Sequence, residues 1–150
     1  MSRTRIGMNS FFQLLKQHTT KTIAETEIIP YPTPKLKQLK KESKDVIARG
    51  KKIFLDLLLD ISPSIVIMHG KTTVDHMVEL LMRKGLLNAT SVNLNEKIES
   101  MEQRAPLFEI PYQSGKIGKF FGCRHFMYYG QRGESFNSFK GNIIKAIESI

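Results

Sequence analysis

A chain of 150 residues with 41% hydrophobic side chains can bury one core and is short for two. Its 23 Lys and Arg against 14 Asp and Glu leave a formal charge of +9, which suits phosphate partners because each neutralised phosphate releases counterions; a plain solubility charge is the alternative. The single cysteine, Cys123, excludes a disulfide framework within the chain and points to a reducing, cytoplasmic compartment, and no apolar run approaches the ~18 residues of a membrane span, so no membrane partner is expected.

The charge is uneven. Residues 1–52 carry 12 Lys/Arg against 4 Asp/Glu, residues 53–104 carry 5 against 7, and residues 105–150 carry 6 against 3. The basic surface is therefore built mainly by the first third, with help from the last.

In chain order, Asn9 is placed to cap a short amphipathic helix over 10–17, with Phe11, Phe12, Leu14 and Leu15 on its inner side. Residues 22–29 read as extended through Ile23, Ile28 and Ile29, and Pro30-Tyr31-Pro32-Thr33-Pro34 stiffens the loop that follows. A strong helix begins at Ser43 or Lys44 and runs to about Asp60, with Val46, Ile47, Ile53, Phe54, Leu57 and Leu58 as its stripe. Pro63 ends that element. Ile65-Val66-Ile67-Met68 is an unbroken apolar run, as a strand buried on both faces requires. Gly70 turns the chain, Thr72 with Asp75 resembles a capping box, and Val74, Met77, Val78 and Leu81 face inward on a helix stopped by Gly85. A weaker helix is predicted over 94–103. Strands over 107–112 and 117–126 flank the turn Gln113-Ser114-Gly115-Lys116, and Ser135 can cap a last helix through Phe136, Phe139, Ile143, Ile144 and Ile147. The alternation of helices and strands predicts a single α/β domain over 1–150, a three-layer, mostly parallel sheet flanked by helices, with its ligand site at the carboxyl ends of the strands.

Several groups are weighed for chemistry. Gly70-Lys71-Thr72 follows a strand and opens a helix, but Ile65 stands where a phosphate-binding loop needs its first glycine, so nucleotide hydrolysis is rejected and an ordinary strand-to-helix turn is favoured. Cys123 and His125 share a face of one predicted strand, yet His18, His69 and His76 give no matching spacing, so no metal is expected and Cys123 reads as a small buried hydrophobe. His125 ends an apolar strand, where a rigid scaffold can aim its hydrogen bond into a pocket; local structural bonding is the alternative. Phe126, Tyr128 and Tyr129 beside Arg124 and Arg132 place aromatics among cations, a combination that can stack on bases and hold phosphates. Lys35, Lys37, Lys40, Lys41 and Lys44 follow the proline loop and form a candidate edge for gripping a nucleic-acid backbone.

The ordered set resembles the uracil-DNA glycosylase superfamily. The matching pieces are the helix over 10–17, the segment Thr26-Glu27-Ile28-Ile29-Pro30-Tyr31-Pro32, the buried strand over 63–70, and the strand over 121–126 with His125, followed by a loop and a terminal helix. The resemblance implies a DNA-binding fold, with hydrolysis of an N-glycosidic bond without cofactor or metal if the protein is active. It makes His125 the group that stabilises charge developing on a departing base, and Phe126 to Tyr129 the loop that fills the gap left by a flipped nucleotide. It also exposes two departures. The superfamily's first strand and its water-handling acid lie N-terminal to everything matched, so the chain reads as a domain truncated at its N-terminus. Glu27 stands nearest to the base-reading asparagine, and an ionised carboxylate cannot donate to a uracil carbonyl, though Glu27 is also the best candidate for the missing acid. A non-catalytic nucleic-acid-binding or regulatory protein retaining the fold is one rival reading, and a metabolic α/β enzyme with a small phosphorylated or nucleoside ligand is another. A truncated sheet would leave an edge strand, so a homodimer is a further expectation.

Overall fold

A computed structural model describes residues 1–28, 44–130 and 136–150. The chain divides into two compact units, one formed by Met1–Thr22 with Pro63–Ile150 and the other by Ile23–Ser62.

The larger unit is mixed α/β and opens with α1 (Arg3–Lys16). The helix starts a full two turns before the predicted cap at Asn9, because Ser2 accepts a hydrogen bond from the Arg5 amide and satisfies one of the free donors of the first turn. Gly7, Met8, Phe11 and Leu15 form its buried face. Strand β1 (Ile65–His69) runs parallel to β3 (Ile117–Cys123), with Ile65 opposite Lys119 and His69 opposite Cys123. Strand β2 (Phe108–Pro111) pairs antiparallel with β3, giving the order β1-β3-β2. The described sheet is therefore mixed rather than mostly parallel. The cause is the four-residue turn over 113–116: a link so short can only return the chain as a hairpin. Tyr112 and Lys116 close that turn through the Tyr112 amide and the Lys116 carbonyl at 2.8 Å.

β3 is the centre of this sheet. Phe120 on one face and Phe121 on the other are both almost wholly buried, so both faces are covered. Gly122 lies against Val74, Leu107 and Ile98, and Phe120 stacks on Phe108 with ring centroids 4.9 Å apart. β1 was expected to be buried on both faces; only Met68 is, and its other residues are half-buried, as befits a strand at the margin of the described sheet. Between them, α3 (Lys71–Arg83) buries Val74, Met77, Val78 and Leu81, while the predicted helix over 94–103 shrinks to the single turn α4 (Ile98–Met101). The Thr72–Asp75 capping box does not form. Gly70, at φ +95°, is the N-cap, the helix begins at Lys71, and Lys71 instead bridges Asp75 at 2.5 Å and the Leu94 carbonyl at 2.6 Å. Gly85 at φ +70° ends α3 as the sequence required, with the Leu86 amide donating back to the Leu81 carbonyl. The terminal helix α5 spans Asn137–Glu148 and buries Phe139, Ile143 and Ala146; its predicted cap Ser135 lies outside the described residues.

In the smaller unit, α2 (Lys44–Ile61) matches its predicted span and buries Gly50, Phe54, Leu55 and Leu58. Ile53 and Leu57, expected on the same stripe, are 57% and 45% exposed, so the buried face is narrower than the run of apolar residues. Residues 22–28, read from sequence as part of an extended segment, form neither helix nor strand, and Ile29 lies outside the described residues. Among the described residues no helix is long and apolar enough to cross a membrane.

Tyr112 supplies a pH-dependent clamp. Its buried hydroxyl donates to the Pro63 carbonyl at 2.9 Å, and burial pushes its pKa from 10.0 up to about 12. A folded-state value above the unfolded one means that this stability is intact below pH 10 and is lost as pH rises from 10 towards 12. Chemical denaturation across that window should show a loss of up to about 2 kcal/mol that is absent from Tyr112→Phe.

Candidate nucleic-acid site

The carboxyl ends of the two parallel strands bring two imidazoles together. His69 is the last residue of β1, and His125 lies two residues past the end of β3; their ring centroids are 4.8 Å apart at an interplanar angle of 62°. Gly70 follows His69, its amide donates to the Cys123 carbonyl at 2.8 Å, and a Cβ at Gly70 would stand 3.6 Å from His125 Cδ2. That is an ordinary contact distance, so it is the backbone at φ +95° and not a lack of room that calls for glycine here.

His125 is fixed from its own carboxyl side. It caps the 3₁₀ turn Phe126–Tyr128, and its Nδ1 accepts the Met127 amide at 3.2 Å. A neutral imidazole whose Nδ1 accepts must carry its proton on Nε2. Burial lowers the His125 pKa below 6.5, which keeps the ring neutral at pH 7. Because the folded value is depressed, the stability that this neutral ring supports is present above pH 6.5 and is lost as pH falls through the lowered value. The result is a half-buried imidazole with Nε2–H as its remaining donor.

The aromatics after His125 divide by exposure. Phe126 is buried, stacks on His69 at 4.8 Å and lies 5.0 Å from Phe11 of α1. Tyr129, half-buried, meets Phe11 at 5.5 Å and Phe136 at 5.4 Å, and Lys140 Nζ sits 5.8 Å from its ring centroid. Burial raises the Tyr129 hydroxyl pKa. Tyr128 is 51% exposed and is the ring of this turn available to stack on a base.

Arg124 is tied into the fold. Its amide and its Nε donate to the same oxygen of buried Glu102, at 2.7 and 2.8 Å, and its guanidinium lies 4.6 Å over the Phe136 ring. Its first task is therefore to anchor the residue before His125 (the side chain keeps 29% of its surface exposed). Cys123 is wholly buried, and burial, reinforced by the Glu102 carboxylate and opposed by Arg124, raises its thiol pKa well above the ordinary value. It is a core residue and not a nucleophile.

Glu27 is exposed and belongs to the smaller unit. Lys35, Lys37, Lys40, Lys41 and Arg132 lie outside the described residues. Two contributors were missed. His69 had a readable signal, since it closes the apolar run Ile65–Met68 just as His125 follows the run in β3. Glu102 had none, because a carboxylate in a short weak helix carries no mark of burial in sequence. Lys71, in the loop that resembled a phosphate cradle, is engaged by Asp75 and Leu94, which supports the ordinary-turn reading of that loop.

Comparison with known proteins gives no relative: no family model, no curated protein and no solved structure matches the chain.

Proposed function

We propose that this protein binds DNA as a glycosylase-like module in which the strand-end site around His125 receives a nucleotide. The observation that carries the reading is the fixed His125 imidazole: Nδ1 is held by the Met127 amide, which leaves Nε2–H as a donor at the carboxyl end of the parallel strand pair. A neutral donor of this kind can stabilise a carbonyl oxygen as negative charge develops on it, and it costs less to keep beside a second imidazole than a cation would. Exposed Tyr128 offers a stacking surface beside it, and the formal charge of +9 supplies the attraction to phosphate. The reading includes the three-layer fold of the uracil-DNA glycosylase superfamily and a reducing compartment suited to a free thiol.

Base excision is the finer form of this reading. Hydrolysis of an N-glycosidic bond needs a group that handles the attacking water. Glu27 is the residue that would have to serve in an active enzyme.

The test is incubation with uracil-containing and undamaged oligonucleotides, measuring binding and abasic-site formation together. Binding of both substrates at low salt is the expected result. Base release that disappears in His125→Ala would establish the enzyme, binding without release would establish a non-catalytic module, and failure to bind either oligonucleotide would overturn the reading.

A further inference from the structure

We infer that Gly7 is a positioning residue for His125: its missing side chain lets α1 lie flush against the Phe126–Met127 peptide and thereby fixes which nitrogen of the imidazole carries the proton. Gly7 sits on the buried face of α1, in the interior of a helix, where glycine is a poor choice unless space demands it. Space does demand it. A Cβ at this position would overlap the Phe126 carbonyl oxygen outright, would lie 3.0 Å from the Phe126 carbonyl carbon and would stand 3.2 Å from Tyr129 Cβ. The obstacle is backbone, so no side-chain rotation relieves it.

The Phe126 carbonyl and the Met127 amide belong to one peptide unit, which is planar and moves as a body. Pushing the oxygen away from α1 therefore displaces the N–H that His125 Nδ1 accepts. That bond is 3.2 Å long, at the upper end of the ordinary range, so a shift of a few tenths of an ångström removes it. Phe11, one turn further along the same face, continues the contact by packing on Phe126 at 5.0 Å and Tyr129 at 5.5 Å. Without the Met127 donor, Nδ1 is free to take the proton, and Nε2 becomes an acceptor where the site presents a donor. The functional meaning of Gly7 rests on the reading of His125 as that donor, but the tautomer is measured on the free protein, so the two ideas fail separately.

Heteronuclear NMR of the imidazole nitrogens reads the tautomer directly at a pH where the rings are neutral. The wild-type chain is expected to show His125 protonated on Nε2. Gly7→Ala is expected to convert this to a mixture containing the Nδ1–H form, whereas Gly141→Ala, at a helical glycine with open space around it, leaves the spectrum unchanged. If Gly7→Ala does not fold, Phe11→Leu decides the matter, because it loosens the same contact without placing an atom on the peptide; a partial shift towards Nδ1–H is expected. A wild-type His125 protonated on Nδ1, or a folded Gly7→Ala with the wild-type tautomer, overturns the inference, as does an unchanged tautomer in Phe11→Leu where Gly7→Ala cannot be read.

Discussion

Glu102→Ala is expected to destabilise the protein by about 2–4 kcal/mol in urea unfolding, a large share of the margin of a chain this size. Glu102 is 3% exposed and accepts both the Arg124 amide and its Nε. Truncation leaves a backbone donor unpaired at the end of β3 and leaves the guanidinium over Phe136 without its counter-charge. The range sits below that of a fully buried pair because Arg124 keeps 29% of its side-chain surface in water. Glu102→Gln keeps an oxygen in the same place and should cost roughly 1 kcal/mol, so the difference between the two variants isolates the hydrogen bonds from the charge. Equal stability of the wild-type and alanine proteins would show that the pair is incidental.

Oligonucleotide affinity should fall steeply with salt. About four phosphate contacts would give a slope of about −3.6 in log K against log salt, and so roughly a hundredfold loss between about 50 and 200 mM. The sequence surplus is large enough for this: 12 Lys/Arg against 4 Asp/Glu in residues 1–52 alone. The slope separates the two uses of charge. A solubility charge that meets no phosphate yields weak binding at any salt, and a small-ligand enzyme yields thermal stabilisation by nucleoside or phosphorylated ligand instead. Neutralising Lys35, Lys37, Lys40 and Lys41 together should reduce the slope if that run grips the backbone, and should leave it unchanged if the last third of the chain does so.

The parts of the fold that were legible in sequence are those with a dense, periodic apolar pattern. The α2 stripe and the α3 face through Val74, Met77, Val78 and Leu81 each fix a helix almost to the residue, whereas β3, expected over 117–126 with Cys123 and His125 on one face, ends at Cys123 because His125 caps the 3₁₀ turn Phe126–Tyr128. Helix starts were harder to read. Asn9 suits an N-cap by residue type, but Ser2 fills that place by accepting the Arg5 amide, and the turns so added bury Gly7 and Met8. The two strands flanking the turn at 113–116 were legible, but the alternation of helices and strands pointed to a mostly parallel sheet, whereas so short a turn dictates a hairpin and the described sheet is mixed. At the site, His125 was readable from its position after an apolar strand. Its tautomer was not, since that depends on a single amide two residues ahead and on the flush contact of a helix more than a hundred residues earlier in the chain. Tyr128 and Tyr129 are chemically alike in sequence, and only the three-dimensional packing of Phe11, Phe136 and Lys140 assigns one to the interior and leaves the other in solvent.

Nucleotide entry at the strand-end site is tested most directly by titrating the labelled protein at low salt with a short uracil-containing single strand while following the His125 ring nitrogens and the Gly70 and Met127 amides. Selective perturbation of these signals, with weakened binding in Tyr128→Ala, is the outcome expected here. Binding that leaves all of them unmoved would place the nucleic acid elsewhere and contradict the account.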